Sequence, residues 1–166
     1  MLALNPFIVF DFSKDTPSSS WTVVDDGVMG GLSEGRFFIN SQGHGVFEGN
    51  VSLANNGGFS LIRHRFAQKS IDGYQRAMIR LKGDGKRYQF RIKANANQRH
   101  SYIAYFDSSG EWETITISLK DMYPAFRGRT LNLPNYSAKK ISEIAFLIGN
   151  EKEESFRLEI DRIWLE

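Results

Sequence analysis

The stretch Trp21-Thr-Val-Val-Asp-Asp-Gly-Val-Met-Gly-Gly-Leu-Ser-Glu-Gly-Arg36 decides how this chain is read. Asp25-Asp26-Gly27 is turn chemistry, and Gly30-Gly31 lets the backbone take positive φ or approach another group closely. Short strands on either side make this a tight, glycine-rich connection between two strands of a β-protein. Two roles fit the same residues. Trp21 can anchor a core with Met29 filling a gap while the glycines carry a crossing between sheets. Alternatively Trp21, Asp25, Asp26, Gly27, Met29, Gly30, Gly31 and Ser33 can line a binding loop. A phosphate loop does not fit, because the pattern is not G-x-G-x-x-G and a strand follows where a helix N-terminus is needed.

A second cluster, Phe47-Glu-Gly-Asn-Val-Ser-Leu-Ala-Asn-Asn-Gly-Gly-Phe-Ser-Leu-Ile-Arg63, repeats the theme. Asn and Gly tolerate the left-handed region, so Asn56, Gly57 and Gly58 before Phe59 predict a tight loop entering a strand. Outward from these clusters, period-2 runs separated by Gly, Asn, Asp and Ser predict strands near 7–12, 21–24, 34–40, 45–53, 59–66, 74–82, 87–94, 101–107, 112–119, 141–149 and 155–164. That number of short strands predicts an all-β sandwich or jelly roll. The segment 121–140 holds Pro124, Gly128, Pro134 and Asn135 and reads as a surface loop with one helical turn.

One pairing follows from the alternation. If Asp84-Gly85 is a two-residue turn, Ile79 faces Phe90 and Ala77 faces Ile92 in the core. The other face of that hairpin then carries Arg76, Arg80, Lys82, Arg91 and Lys93 as one cationic row, with Arg76 opposite Lys93. Like charges directly opposite are destabilising, so an anionic neighbour is expected. It is either the strand Arg157-Leu-Glu159-Ile-Asp161 or an acidic partner.

Length and composition bound the rest. At 166 residues and 41% hydrophobic, the chain supports one core, and a single domain spanning residues 1–166 is expected. With no cysteine, disulfides and thiolate metal sites are excluded, and a reducing, cytoplasmic setting is expected. The N-terminal run lacks a basic leader pattern, and no stretch approaches the ~20 apolar residues of a membrane span. Net charge is +2, but residues 63–99 hold eleven Lys/Arg against two acids. Cations interleaved with Tyr and Phe raise single-stranded nucleic acid as a ligand, and the modest total argues against it.

Catalysis needs a nucleophile with a base, paired carboxylates or a metal cluster. His44, His64 and His100 lack zinc-site spacing, and Asp25 and Asp26 point to opposite faces of an extended backbone. Asp11 and Asp161 are candidate calcium ligands near the termini, yet neither lies in a recognisable loop. No enzyme, cofactor or metal site is therefore expected. Trp21, Trp112, Tyr102, Tyr105 and Tyr123 are candidate stacking platforms for a carbohydrate.

The ordered motifs resemble the complex I intermediate-associated proteins of the thirty-kilodalton type. They are Trp21 with Asp26-Gly27-Val28-Met29-Gly30-Gly31 and Ser33, Phe47-Glu-Gly49, Asn56-Gly57-Gly58-Phe59 with Arg63, Asp72-Gly73, Gly83-Asp84-Gly85 with Tyr88, Trp112, Pro124 with Phe126-Arg127-Gly128, and Phe156 to Asp161. The resemblance implies a galactose-binding-domain-like jelly-roll β-sandwich. It also implies a role in assembling a membrane-bound respiratory complex through contacts with a protein partner.

Overall fold

The computed structural model describes residues 4–26 and 31–166. Among the described residues, thirteen strands form two antiparallel sheets: β1 (Phe7–Asp11), β2 (Thr22–Asp25), β3 (Glu34–Ile39), β4 (Gly45–Val51), β5 (Ser60–Ser70), β6 (Arg76–Lys82), β7 (Arg87–Lys93), β8 (Ser101–Asp107), β9 (Trp112–Ser118), β10 (Tyr123–Phe126), β11 (Arg129–Thr130), β12 (Lys140–Ile148) and β13 (Glu154–Leu165). The six-stranded sheet runs β3-β4-β13-β6-β9, with β1 also on β13. The seven-stranded sheet runs β11-β10-β8-β7-β12-β5-β2.

Alternation builds the core. Phe90 and Ile92 of β7, Ile144 and Phe146 of β12, and Ile62 of β5 face Ala77, Ile79 and Leu81 of β6 and Leu158, Ile160 and Ile163 of β13 in one buried cluster. Burying a side chain of this size contributes about 1.5–3 kcal/mol relative to leaving it exposed, so the two sheets are held chiefly by this layer. The result is the expected jelly-roll sandwich, with every predicted strand present. The segment 121–140 also contributes β10 and β11 to the edge of the seven-stranded sheet. Pro124 sits in β10, which pairs with β8 on one flank and only with the two-residue β11 on the other. That is where a missing ladder donor is tolerated.

The expected β6–β7 hairpin does not form. β6 pairs with β13 and β9, whereas β7 pairs with β12 and β8, so Gly83–Lys86 carries the chain from one sheet to the other. Asp84 holds this corner: it accepts from Tyr88 Oη (2.9 Å) and, across the sandwich edge, from the Arg157 amide (2.8 Å). Ala77, Ile79, Phe90 and Ile92 are core residues as expected, but they face one another across the interior instead of side by side. The supposed single cationic row is therefore split between the two outer faces, and Arg76 lies opposite Ser118, not Lys93.

Candidate functional site

The two glycine-rich clusters meet at a pair of carboxylates. Asp26, 1% exposed, accepts hydrogen bonds from the Ser33 amide (2.9 Å), Ser33 Oγ (2.5 Å), the Gly58 amide (2.5 Å) and the Phe59 amide (3.2 Å). Burial pushes the Asp26 carboxyl up, but hydrogen bonds from the Ser33 hydroxyl and the Gly58, Ser33 and Phe59 amides outweigh it and hold the group below the usual carboxylate range. Asp25 accepts from the Gly35 amide (3.0 Å) and Ser60 Oγ (2.5 Å). A Cβ on Gly31 or Gly57 would collide with the Asp26 carboxylate, which explains both glycines by close approach. Asp25, Asp26, Gly31, Ser33, Gly57, Gly58 and Phe59 thus form a clasp between the start of β3 and the start of β5. Asn56 occupies a 3-10 turn before it. The candidate residues Gly27, Met29 and Gly30 lie outside the described residues.

Trp21 is core. It stacks on Phe12 and His64 and packs against Phe10, Phe37 and Phe146. Buried at 4% exposure, it cannot serve as a surface platform, and neither can Tyr102, which stacks on buried Tyr136. Burial lowers the His64 imidazole, while its Nδ1 donates to the Ser20 carbonyl at 2.7 Å.

Trp112, Arg76 and Arg80 lie on the outer face of the six-stranded sheet, where opposite charges meet. Arg80 reaches Asp161 (3.1 Å) and lies over the Trp112 ring, whose other neighbour is His44. His44 bonds Glu159 through Nδ1 (2.6 Å) and faces Asp161 through Nε2 (3.7 Å), so both ring nitrogens are committed to carboxylates. Arg76 faces Glu166, and Arg36 and Arg157 share Glu48. The strand from Arg157 to Asp161 is indeed the neutralising neighbour of Arg80. Among the described residues, no group of three or more His, Asp or Glu has the arrangement to hold a metal ion.

The outer face of the seven-stranded sheet is different. Its inward residues fix the alternation, so Arg91 and Lys93 of β7, Glu143, Ala145 and Leu147 of β12, and Leu61, Arg63 and Arg65 of β5 all point outward. The registers give one row Lys93–Glu143–Arg65 and the next row Arg91–Ala145–Arg63. Four cations surround one carboxylate, and that carboxylate, 6% exposed, is taken by Arg65 (2.7 Å). Burial lowers the Lys93 ammonium and the positive charges of Arg65, Arg63 and Arg91 lower it further against the pull of Glu143. Arg63 is lowered by burial and by Arg65, Arg91 by burial, and His100 by burial and Lys93. Burial is the leading cause in all four, and neighbouring positive charge adds to it for Arg63, Lys93 and His100. Guanidinium groups nevertheless stay protonated at neutral pH.

This face continues into a cleft of about 600 Å³ lined by Arg87, Tyr105, Asp107, Asn150, Glu151 and Glu154 among others. Tyr105 is 38% exposed, carries the Arg87 guanidinium 3.7 Å over its ring, and accepts from Gln89 Nε2 (3.0 Å). The structure thus unites Arg63, Arg91 and Lys93 with the candidate platform Tyr105, separates them from Arg76, Arg80 and Trp112, and adds Arg65, Glu143 and Ala145. Glu143, immediately before the apolar run Ile144–Ile148, and the alternating Arg63 and Arg65 were the available signals for Glu143 and Arg65.

Solved structures share the fold. A family 11 carbohydrate-binding module from Clostridium thermocellum, in complex with a beta-1,3-1,4-mixed-linked tetrasaccharide, is 14% identical with a TM-score of 0.71, over 99% of this chain and 96% of that one. An agarase matches with a TM-score of 0.64 and 13% identity over 98% of this chain and 24% of its own length. TmCBM61 in complex with beta-1,4-galactotriose matches with a TM-score of 0.52 and 10% identity over 98% and 99% of the two chains. These likenesses establish the sandwich architecture. Residues 10–160 match the family profile of Complex I intermediate-associated protein 30, a span that contains the clasp, the Asp84 corner and the first half of the closing strand β13. The chain is a member of the Complex I intermediate-associated protein 30 (CIA30) family.

Proposed function

We propose that this protein is a non-catalytic binding module that assists assembly of a respiratory, NADH dehydrogenase type complex by holding an acidic segment of a protein partner. The module comprises the whole 166-residue chain. One observation carries the reading: Arg63, Arg65, Arg91 and Lys93 share two adjacent rows with Glu143 as their single carboxylate. Such a concentration of like charge opposes folding, and a complementary partner relieves it and speeds encounter. Membership of a family named for its association with complex I intermediates supports a protein partner. Absence of cysteine suits a reducing compartment.

The test is co-purification of membrane-complex subassemblies with the tagged protein from its own cells. Recovery should fall at least about tenfold in Arg63→Glu with Lys93→Glu, and should be weakened by added salt in the wild type. Equal recovery of the same subassemblies by the double variant contradicts the reading.

Carbohydrate binding is the second reading, favoured by half-exposed Tyr105 with Gln89 and Arg87 beside the open cleft. It requires glycan-array binding that Tyr105→Ala removes while the fold persists. A blank array over neutral and acidic glycans eliminates it.

A further inference from the structure

We propose that Ala145 floors a slot for one carboxylate, clamped between Arg91 and Arg63, and that the partner fills it with an Asp or Glu side chain. This rests on the partner-binding reading above and assigns the chemistry of its contact. Two neighbouring rows on the same three strands differ at their central position. In the row Lys93–Glu143–Arg65, the central strand supplies its own carboxylate, and Arg65 Nε donates to Glu143 Oε1 at 2.7 Å. In the row Arg91–Ala145–Arg63, the same central position holds a methyl group.

The flanking backbones in each row are about 10 Å apart, two strand spacings, so the geometry that accommodates the Glu143 carboxylate in one row recurs in the next. Ala145 is 1% exposed although it faces outward, so neighbouring side chains cover its methyl group. Arg91 Nε is buried and has no hydrogen-bond partner among the described residues. A buried guanidinium nitrogen without an acceptor is costly, and a carboxylate is the acceptor it pairs with most strongly. What Glu143 does internally for one row, an incoming carboxylate does for the other.

Ala145→Glu tests this directly, because it installs the missing carboxylate from within. Wild-type protein should bind fluorescein-labelled hexaglutamate at low salt, and Ala145→Glu should weaken that binding by at least about tenfold. Its melting midpoint should rise, whereas a buried charge placed without partners would lower it. Arg91→Gln serves as the second variant, expected to fold normally and to lose binding by about tenfold as well.

Unchanged hexaglutamate binding in Ala145→Glu overturns the slot. So does a lowered midpoint in that variant combined with wild-type binding by Arg91→Gln. Tighter binding of hexagalacturonate or a thymidine hexanucleotide than of hexaglutamate overturns the assignment to a peptide side chain. If Arg63→Glu with Lys93→Glu abolishes subassembly recovery while Ala145→Glu leaves both recovery and hexaglutamate binding intact, the slot falls and the broader reading stands.

Discussion

The two outer faces of this sandwich both carry charged side chains and treat them in opposite ways. On the six-stranded sheet, Arg80 meets Asp161, Arg36 and Arg157 meet Glu48, and His44 meets Glu159. On the seven-stranded sheet, Arg63, Arg65, Arg91 and Lys93 crowd around Glu143. Exposed pairs such as Arg80–Asp161 and Arg36–Glu48 contribute roughly 0–1 kcal/mol each and need no external partner. The second arrangement stores repulsion that folding must overcome, and it is the kind of local expense that marks a binding surface. Charge count alone did not separate the faces; pairing did.

The clasp underlies both faces, and breaking it sets the upper scale. Asp26→Ala removes the acceptor for four donors and should cost about 3 kcal/mol of stability by denaturant unfolding. Asp26→Asn should lose part of that at pH 7. Because the folded-state pKa of Asp26 lies below the ordinary 3.8, its contribution is fully present above pH 3.8 and is lost as pH falls through the folded value. The wild-type and Asn proteins should therefore draw together in stability as pH falls below 3.8. Two unfolding curves that stay equally far apart from pH 7 to pH 2 would contradict the assignment.

Charge reversal gives the next largest effect and separates the faces. Arg63→Glu with Lys93→Glu should weaken hexaglutamate binding by about a hundredfold, and Arg76→Glu with Arg80→Glu by less than about twofold. Equal losses would erase the distinction. The smallest effect concerns stability. Lys93→Met should raise the melting midpoint slightly at pH 7, because the fold disfavours the Lys93 ammonium. The sign follows from a lowered folded pKa in a basic group: the unfolded chain binds the extra proton, so the penalty is present at pH 7 and fades as pH rises toward 10.5. Arg80→Met should instead lower the midpoint slightly, since it abandons Asp161. Midpoints that move in the same direction would contradict the contrast.

Most of the sandwich was legible in the alternation of its strands, because a half-buried strand must place apolar residues at every second position. The residues Trp21, Asp26 and Gly57 were also legible as special, though not as a clasp. A carboxylate that satisfies backbone donors and one that binds a ligand use the same neighbours in sequence. The partner of β6 was not legible. Ala77, Ile79, Phe90 and Ile92 alternate identically whether their strands pair directly or face each other across a core, and Asp84-Gly85 serves either turn. The ladders from β6 to β13 and from β7 to β12, with the Asp84 bond to the Arg157 amide at the corner, join residues far apart in the chain. The cationic site moved with that choice: Arg91 and Lys93 gained Arg63 and Arg65 as neighbours, while Arg76 and Arg80 went to the opposite face. Likewise β10 and β11 hid in a segment punctuated by Pro124 and Gly128, since strands of four and two residues are too short to show a period.

The central claim is that one face is balanced and the other awaits an anion. Titration of labelled hexaglutamate into Arg63→Gln with Arg91→Gln, and into Arg76→Gln with Arg80→Gln, tests it most directly, because both variants lose the same charge from the same fold. The account predicts that the first loses binding by at least about tenfold and the second retains the wild-type affinity. Equal affinities in the two variants would contradict it.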